Sequence, residues 1–129
     1  MTAPIGPYSP IVRAGPWLTC SGQLGVLDGT LVTGGVPAQT EQALANLTEL
    51  LAGEGASLDD VVKATVFLTD MGDYAAMNEV YAAAFTSGRY PARSTIAVVA
   101  LPFGGAVEIE AWVYSPQRET SPPPDVSST

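Results

Sequence analysis

Arg93 follows Pro91-Ala92 and opens an apolar run over 94–101. Proline cannot continue a preceding helix, so this run reads as a strand. The chain has only five lysines and arginines, and a guanidinium at the head of a strand expected to be buried needs a planar anion, best a carboxylate. That carboxylate is either one of the chain's own acids or a small bound acid; a third reading leaves Arg93 in water at the strand's end. A second group lies further on. Alternation over 107–114 sets Glu108, Glu110, Trp112 and Tyr114 on one strand face, with Val107, Ile109, Ala111 and Val113 on the other. Two carboxylates beside aromatic rings are unusual on a solvent-facing strand. A partly buried glutamate holds its proton more tightly and can serve as acid, base or orienter of water. The plainer alternative is an ion pair with Arg93 or Lys63.

Other polar residues carry weaker signals. Tyr8 sits among Pro4, Gly6, Pro7 and Pro10, in an arm expected to be ordered but not helical. It is either an anchor packed on the domain, the commoner case, or a cleft residue with its hydroxyl available. At Ser21-Gly22 the glycine lets a backbone or ligand come close and the serine offers donors, although a strand ending in a bulge explains both. Lys63, the only lysine, could form a Schiff base if desolvated, but a strand lysine is more often ion-paired or solvated. Asn78 stands off the apolar stripe of its helix, where plain surface is the simple reading.

Absences narrow the chemistry. With no histidine, Ser-His-Asp and Cys-His catalysis and the usual catalytic zinc sites are excluded. One cysteine, Cys20, excludes an internal disulfide and thiolate-rich metal sites. Gly22-Gln23-Leu24-Gly25 lacks the rest of a dinucleotide fingerprint, and no phosphate loop of the G-x-x-x-x-G-K type is present. Neither metal nor cofactor is therefore expected. A net charge of −8, with Arg13, Lys63, Arg89, Arg93 and Arg118 scattered, argues against nucleic acid. Salt screens that field beyond about 10 Å, so one arginine can still capture a small anion. No apolar run approaches membrane-spanning length and no leader pattern opens the chain, so a soluble, cytoplasmic protein without a membrane partner is expected. At 47% hydrophobic and 14% charged residues, the chain has few charges to cover its apolar surface, which predicts a symmetric oligomer.

The elements that must position these groups read in the order βββαβαββ, as one α+β domain over 1–116. Strands over 11–13 and 17–23 flank the turn Gly15-Pro16, and Asp28-Gly29 leads into a short strand over 30–33. A helix over 37–52 buries Ala43, Leu44, Leu47, Leu50 and Leu51, places Glu41 in its first turn and ends at Gly53 and Gly55. Ser57-Leu58-Asp59-Asp60 forms a capped turn before a strand over 61–69 that sets Val62, Ala64, Val66 and Leu68 on one face. Asp73 caps a second helix over 74–86, with the stripe Tyr74, Met77, Tyr81, Ala84 and Phe85, and Gly88 as its stop. One sheet with both helices on one face is expected. The Ser/Pro-rich segment 117–129 is expected to be a flexible tail.

Six segments in this order resemble the reactive-intermediate deaminase family (RidA, YjgF). They are Ile5-Gly6-Pro7-Tyr8-Ser9-Pro10, Ser21-Gly22-Gln23, Val62-Lys63-Ala64-Thr65-Val66-Phe67-Leu68, Met77-Asn78-Glu79-Val80-Tyr81, Tyr90-Pro91-Ala92-Arg93-Ser94 and Val107-Glu108-Ile109-Glu110-Ala111. The resemblance spans almost all of 4–114. It implies a chorismate-mutase-like fold with one mixed sheet, the final strand lying between the Trp17 and Val61 strands. It also implies a homotrimer with its sites in clefts between subunits. Arg93 would hold a substrate carboxylate, Tyr8, Ser21 and Gly22 would line the pocket, Glu108 would position water, and Asn78 would lie nearby. Thr95 stands where many of these deaminases carry cysteine, so pocket shape or substrate choice is expected to differ. The implied reaction hydrolyses 2-imino acids, or their enamine tautomers, to 2-keto acids and ammonia. Elementary chemistry agrees, because a protonated imine is already electrophilic. It needs only a fixed carboxylate, a placed water and a proton carrier, with Arg93, Glu108 and Tyr8 as the catalytic set. Two alternatives stay open: a non-catalytic binder of keto acids with a regulatory role, and a tailoring enzyme for one pathway imine.

Overall fold

A computed structural model describes residues 4–116, and the tail expected over 117–129 lies outside them. Gly15, left-handed at φ 61°, reverses the chain between β1 (Ile11–Ala14) and β2 (Trp17–Leu24), which pair antiparallel. Next, β3 (Val26–Leu27) and β4 (Thr30–Leu31) close over Asp28-Gly29, both at positive φ as a tight hairpin turn requires. This hairpin forms a sheet of its own, so the strand expected over 30–33 does not join the main sheet. Gly34 and Gly35, at φ 119° and 72°, turn the chain at once into α1 (Gly35–Ala52). The helix begins two residues earlier than expected, which leaves Glu41 outside the first turn and removes its dipole argument.

Along α1 the residues Ala43, Leu44, Leu47, Leu50 and Leu51 are buried. Past its end Gly55 is left-handed and the Ala56 N–H donates to the Leu51 carbonyl, a glycine-dependent stop. Ser57 and Asp60 then make a reciprocal capping box ahead of β5 (Val61–Leu68). A bulge opens that strand. Val61 pairs with Val113 but Lys63 pairs with Trp112, which leaves Val62 as the extra residue. Val61 and Ala64 therefore face the core, and Val62, expected there, is 41% exposed.

α2 (Tyr74–Ala84) carries the chain over to β6 (Ala92–Ala97), which pairs parallel with β5. It stops two residues short of the expected end. Asp73 occupies the N-cap position without a side-chain bond, while Asp70 caps the preceding turn by accepting from the Gly72 N–H. Met77, Tyr81 and Phe85 are buried, whereas Tyr74 is 40% exposed and leaves the stripe. Finally, β7 (Val107–Tyr114) inserts antiparallel between β2 and β5, giving the order β1-β2-β7-β5-β6. β6 is thus an edge strand with mostly exposed residues. Arg93 does not open a buried strand, because nothing among the described residues pairs with the outer side of β6.

One face of the sheet supplies Leu18, Ala64, Val66, Leu68, Ile109 and Val113 to a core shared with both helices. Each of these side chains except that of Ala64 contributes about 1.5–3 kcal/mol. Leu47, 1% exposed in that core, is expected to cost about 3 kcal/mol when replaced by alanine. Urea unfolding should show a lower midpoint at unchanged slope. On the other face Trp17, Ile96, Trp112 and Tyr114 stay exposed, with Trp17 edge-on to Tyr114 at 5.2 Å between ring centroids.

Candidate functional site

Register places the arginine. Arg93 pairs with Ala64 and Thr95 with Val66, so both side chains lie on the helix face of β6. There they meet α2, whose residues 74, 77, 78 and 81 share one side of the helix. The Arg93 guanidinium carbon lies 4.7 Å from the Tyr81 ring centroid and 5.6 Å from that of Tyr74. Nη2 donates to the Tyr74 hydroxyl at 3.1 Å, and Nη1 stands 3.9 Å from the Met77 Sδ. Among the described residues no carboxylate pairs with Arg93; their one ion pair joins Arg13 to Glu54 at 3.3 Å. Beside the guanidinium opens a cavity of ≈ 320 Å³ lined by Asn78, Tyr81, Tyr90, Pro91 and Arg93.

Electrostatics at this cavity are unusual. The Asn78 amide, and after it the Arg93 guanidinium, holds the Tyr74 phenol below its ordinary range. Burial pushes the Tyr81 phenol up to about 12, against the pull of Arg93. The hydroxyls of Tyr81 and Thr95 are buried with no hydrogen-bond partner among the described residues. Tyr81 lines the cavity, whereas Thr95 does not.

A second cluster forms on the opposite face. Cys20 pairs with Ala111 but Gln23 with Ile109, so β2 bulges at Ser21-Gly22. The Glu108 carboxylate folds over that bulge. A Cβ on Gly22 would stand 2.5 Å from Glu108 Oε2, so only glycine leaves room for it. Burial, followed by repulsion from Glu110 on the same strand face, raises the Glu108 pKa. No ion pair with Arg93 or Lys63 forms among the described residues. Ser21 ties down the arm: its hydroxyl donates to the Ser9 carbonyl at 2.7 Å and its N–H to the Pro10 carbonyl at 2.8 Å. Tyr8, at the arm's bend, is 52% exposed and lines a cleft of ≈ 360 Å³ with Ile5, Gly22, Leu24 and Phe103. It is a cleft residue, not the packed anchor that is the commoner case.

These two clusters do not meet within one chain. Arg93 is level with Ala64, and Glu108 is level with Phe67, three residues further along β5. β5 also lies between their strands, and the side chains leave the sheet on opposite faces. Arg93, Asn78 and Thr95 belong to one cluster; Tyr8, Ser21, Gly22 and Glu108 belong to the other. Lys63 donates to Ser94 at 3.1 Å on the open face, away from the Arg93 cavity. The buried Cys20 thiol is pushed up to about 11, which makes it a poor nucleophile. No group of three His, Cys, Asp or Glu side chains that could hold a metal ion occurs among the described residues. Sequence reasoning missed Tyr74 and Tyr81, which it assigned to the apolar stripe. Their spacing with Asn78, at i, i+4 and i+7, was the available signal.

A five-stranded mixed sheet under two helices, with an arginine stacked on two tyrosine rings and in no ion pair among the described residues, defines a small α+β protein. Residues 1–115 match the family described as Endoribonuclease L-PSP, and the chain belongs to that family, the RidA/YjgF proteins. A 2-iminobutanoate/2-iminopropanoate deaminase from Capra hircus is 49% identical over 111 residues, covering 84% of this chain and 80% of the relative. The crystal structure of RidA from an Antarctic Psychrobacter aligns with a TM-score of 0.82 at 45% identity, covering 87% of this chain and 91% of that one. E. coli TdcF with bound serine aligns equally well, at TM-score 0.82 and 36% identity, over 86% and 90% of the two chains. No helix of the described residues is long and apolar enough to cross a membrane.

Proposed function

We propose that the protein hydrolyses small 2-imino acids, or their enamine tautomers, to 2-keto acids and ammonia, without metal or cofactor, in the cytoplasm. The observation that carries this reading is the Arg93 guanidinium, held between two tyrosine rings beside a cavity and paired with no acid among the described residues. It is a fork ready for a carboxylate. Glu108, whose raised pKa brings it nearer to proton exchange at neutral pH, takes a proton from water as that water adds to C2. Glu108 passes that proton to nitrogen, the C2–N bond breaks and ammonia leaves, and the C2 hydroxyl gives its own proton back to the carboxylate as C2–O becomes the carbonyl. Deaminase relatives at this level of identity, and a structural neighbour holding serine, support an acid of amino-acid size.

Such chemistry needs both clusters together. In the reading proposed here three copies assemble through the open sheet face bearing Trp17, Trp112 and Tyr114, so that Arg93 of one copy meets Tyr8, Gly22 and Glu108 of the next. Light scattering checks the count; a monomer at assay concentration argues against it. A coupled threonine dehydratase assay tests the activity: the protein should speed release of 2-ketobutyrate, and no acceleration refutes the deaminase reading. Gly22→Ala is expected to shift Glu108 and lower turnover about tenfold with circular dichroism unchanged. The non-catalytic alternative, a keto-acid sensor, predicts binding of 2-ketobutyrate with no acceleration. The tailoring alternative predicts activity on one larger imine, with Thr95 deciding the fit. Endoribonuclease activity has little physical support in a chain of net charge −8 without histidine.

A further inference from the structure

Among the described residues Tyr74 is the hydroxyl that Arg93 holds by a hydrogen bond. The hydroxyls of Tyr81 and Thr95 are buried, whereas Tyr74 is 40% exposed and Tyr90, which lines the cavity, 59%. Its oxygen accepts from Arg93 Nη2 at 3.1 Å, and the Asn78 amide one helical turn on helps to lower its pKa. A phenol oxygen accepts about two hydrogen bonds and donates one. With Arg93 on the accepting side, the O–H proton is left for something else, and no hydrogen bond among the described residues takes it. Tyr81 covers one face of the guanidinium, the Met77 sulfur lies at Nη1 and the Tyr74 phenol takes an N–H of Nη2, so an anion entering from the cavity meets the edge of N–H groups that remains, next to that phenol.

A carboxylic acid seated on that edge brings the substituent on its C2 next to the phenol. We propose that Tyr74 is a specificity-determining residue. Its O–H donates to an acceptor on C2 of the bound acid, the oxygen of a 2-keto acid or the nitrogen of a neutral 2-imino acid, so that plain carboxylates are rejected. This rests on the reading that Arg93 takes the carboxylate. A methylene at C2 leaves the phenol donor facing a group that cannot accept, which is the stronger form of discrimination.

Calorimetric titration of the full chain and of Tyr74→Phe with 2-ketobutyrate and with butyrate tests it. The parent should prefer the keto acid about tenfold, the worth of one good hydrogen bond. Tyr74→Phe keeps the ring and should melt at the same temperature. It should bind butyrate like the parent and bring the preference close to parity. An unchanged preference in Tyr74→Phe overturns the proposal. So does an equal loss of both acids, since Tyr74 then only holds the guanidinium, and so does a parent that binds both acids alike. If the parent binds neither acid, or Arg93→Ala still binds both, the carboxylate reading of Arg93 fails first, and this proposal falls with it.

Discussion

Arg93→Ala is expected to lower kcat/KM for 2-iminobutyrate hydrolysis on the order of 10²–10³-fold while leaving the fold intact. Both halves of that expectation come from its position. Arg93 sits on the edge strand and forms no ion pair among the described residues. Its removal therefore forfeits its stacking on two tyrosine rings, about 0.5–1 kcal/mol at a partly exposed site, and one hydrogen bond to the exposed Tyr74 hydroxyl. The substrate, by contrast, loses its only planar cation, and with it the fixed geometry that lets water reach C2. Arg93→Lys should restore little, because an ammonium offers a point charge in place of a fork. Initial rates in the coupled dehydratase assay, set beside thermal melts, check the two halves separately. A variant that keeps its rate removes Arg93 from the site.

Glu108→Gln is expected to be slower and more stable at once. Turnover should fall about 10²–10⁴-fold, the usual worth of a placed general base, while affinity for 2-ketobutyrate changes little. The stability change follows from the raised pKa. In the folded chain Glu108 holds its proton more tightly than the ordinary glutamate value of 4.5. Between that value and the raised one the folded state binds more protons than the unfolded chain, so stability declines as pH rises through this window. Glutamine has no proton to lose and escapes the decline. Melts should place E108Q above the parent at pH 7, with the gap closing below the ordinary glutamate range. A gap of the same size at all pH values would contradict the assigned cause, which is burial reinforced by Glu110.

Much of this was legible in the residues, and what was not has definite physical causes. The alternation of β7, with both glutamates on one face, is stated outright by its two-residue period and matches the observed burial. So is the first helix, whose leucines are all buried. Parity failed where a bulge intervened: Val62 adds one residue to β5 and moves Val61, not itself, to the core. Edge status failed because apolar composition does not report strand order; β6 reads as buried until the order places it outermost. Tyr74 was hidden by its own chemistry, since a tyrosine at helical spacing reads as core until the burial of its hydroxyl is known. The opposed orientation of Arg93 and Glu108 depends on two registers at once, and no local pattern carries that.

That opposed orientation leads to a genetic-style experiment. If each reaction centre draws its guanidinium from one polypeptide and its carboxylate from a neighbour, two dead proteins can revive one another. After unfolding and refolding R93A and E108Q together in equal amounts, random reassortment leaves roughly a quarter of the centres with both groups native. Activity near that fraction of wild type should return from a mixture whose separate components each keep about a hundredth of it or less. Were both groups drawn from the same polypeptide, blending the two would recover nothing.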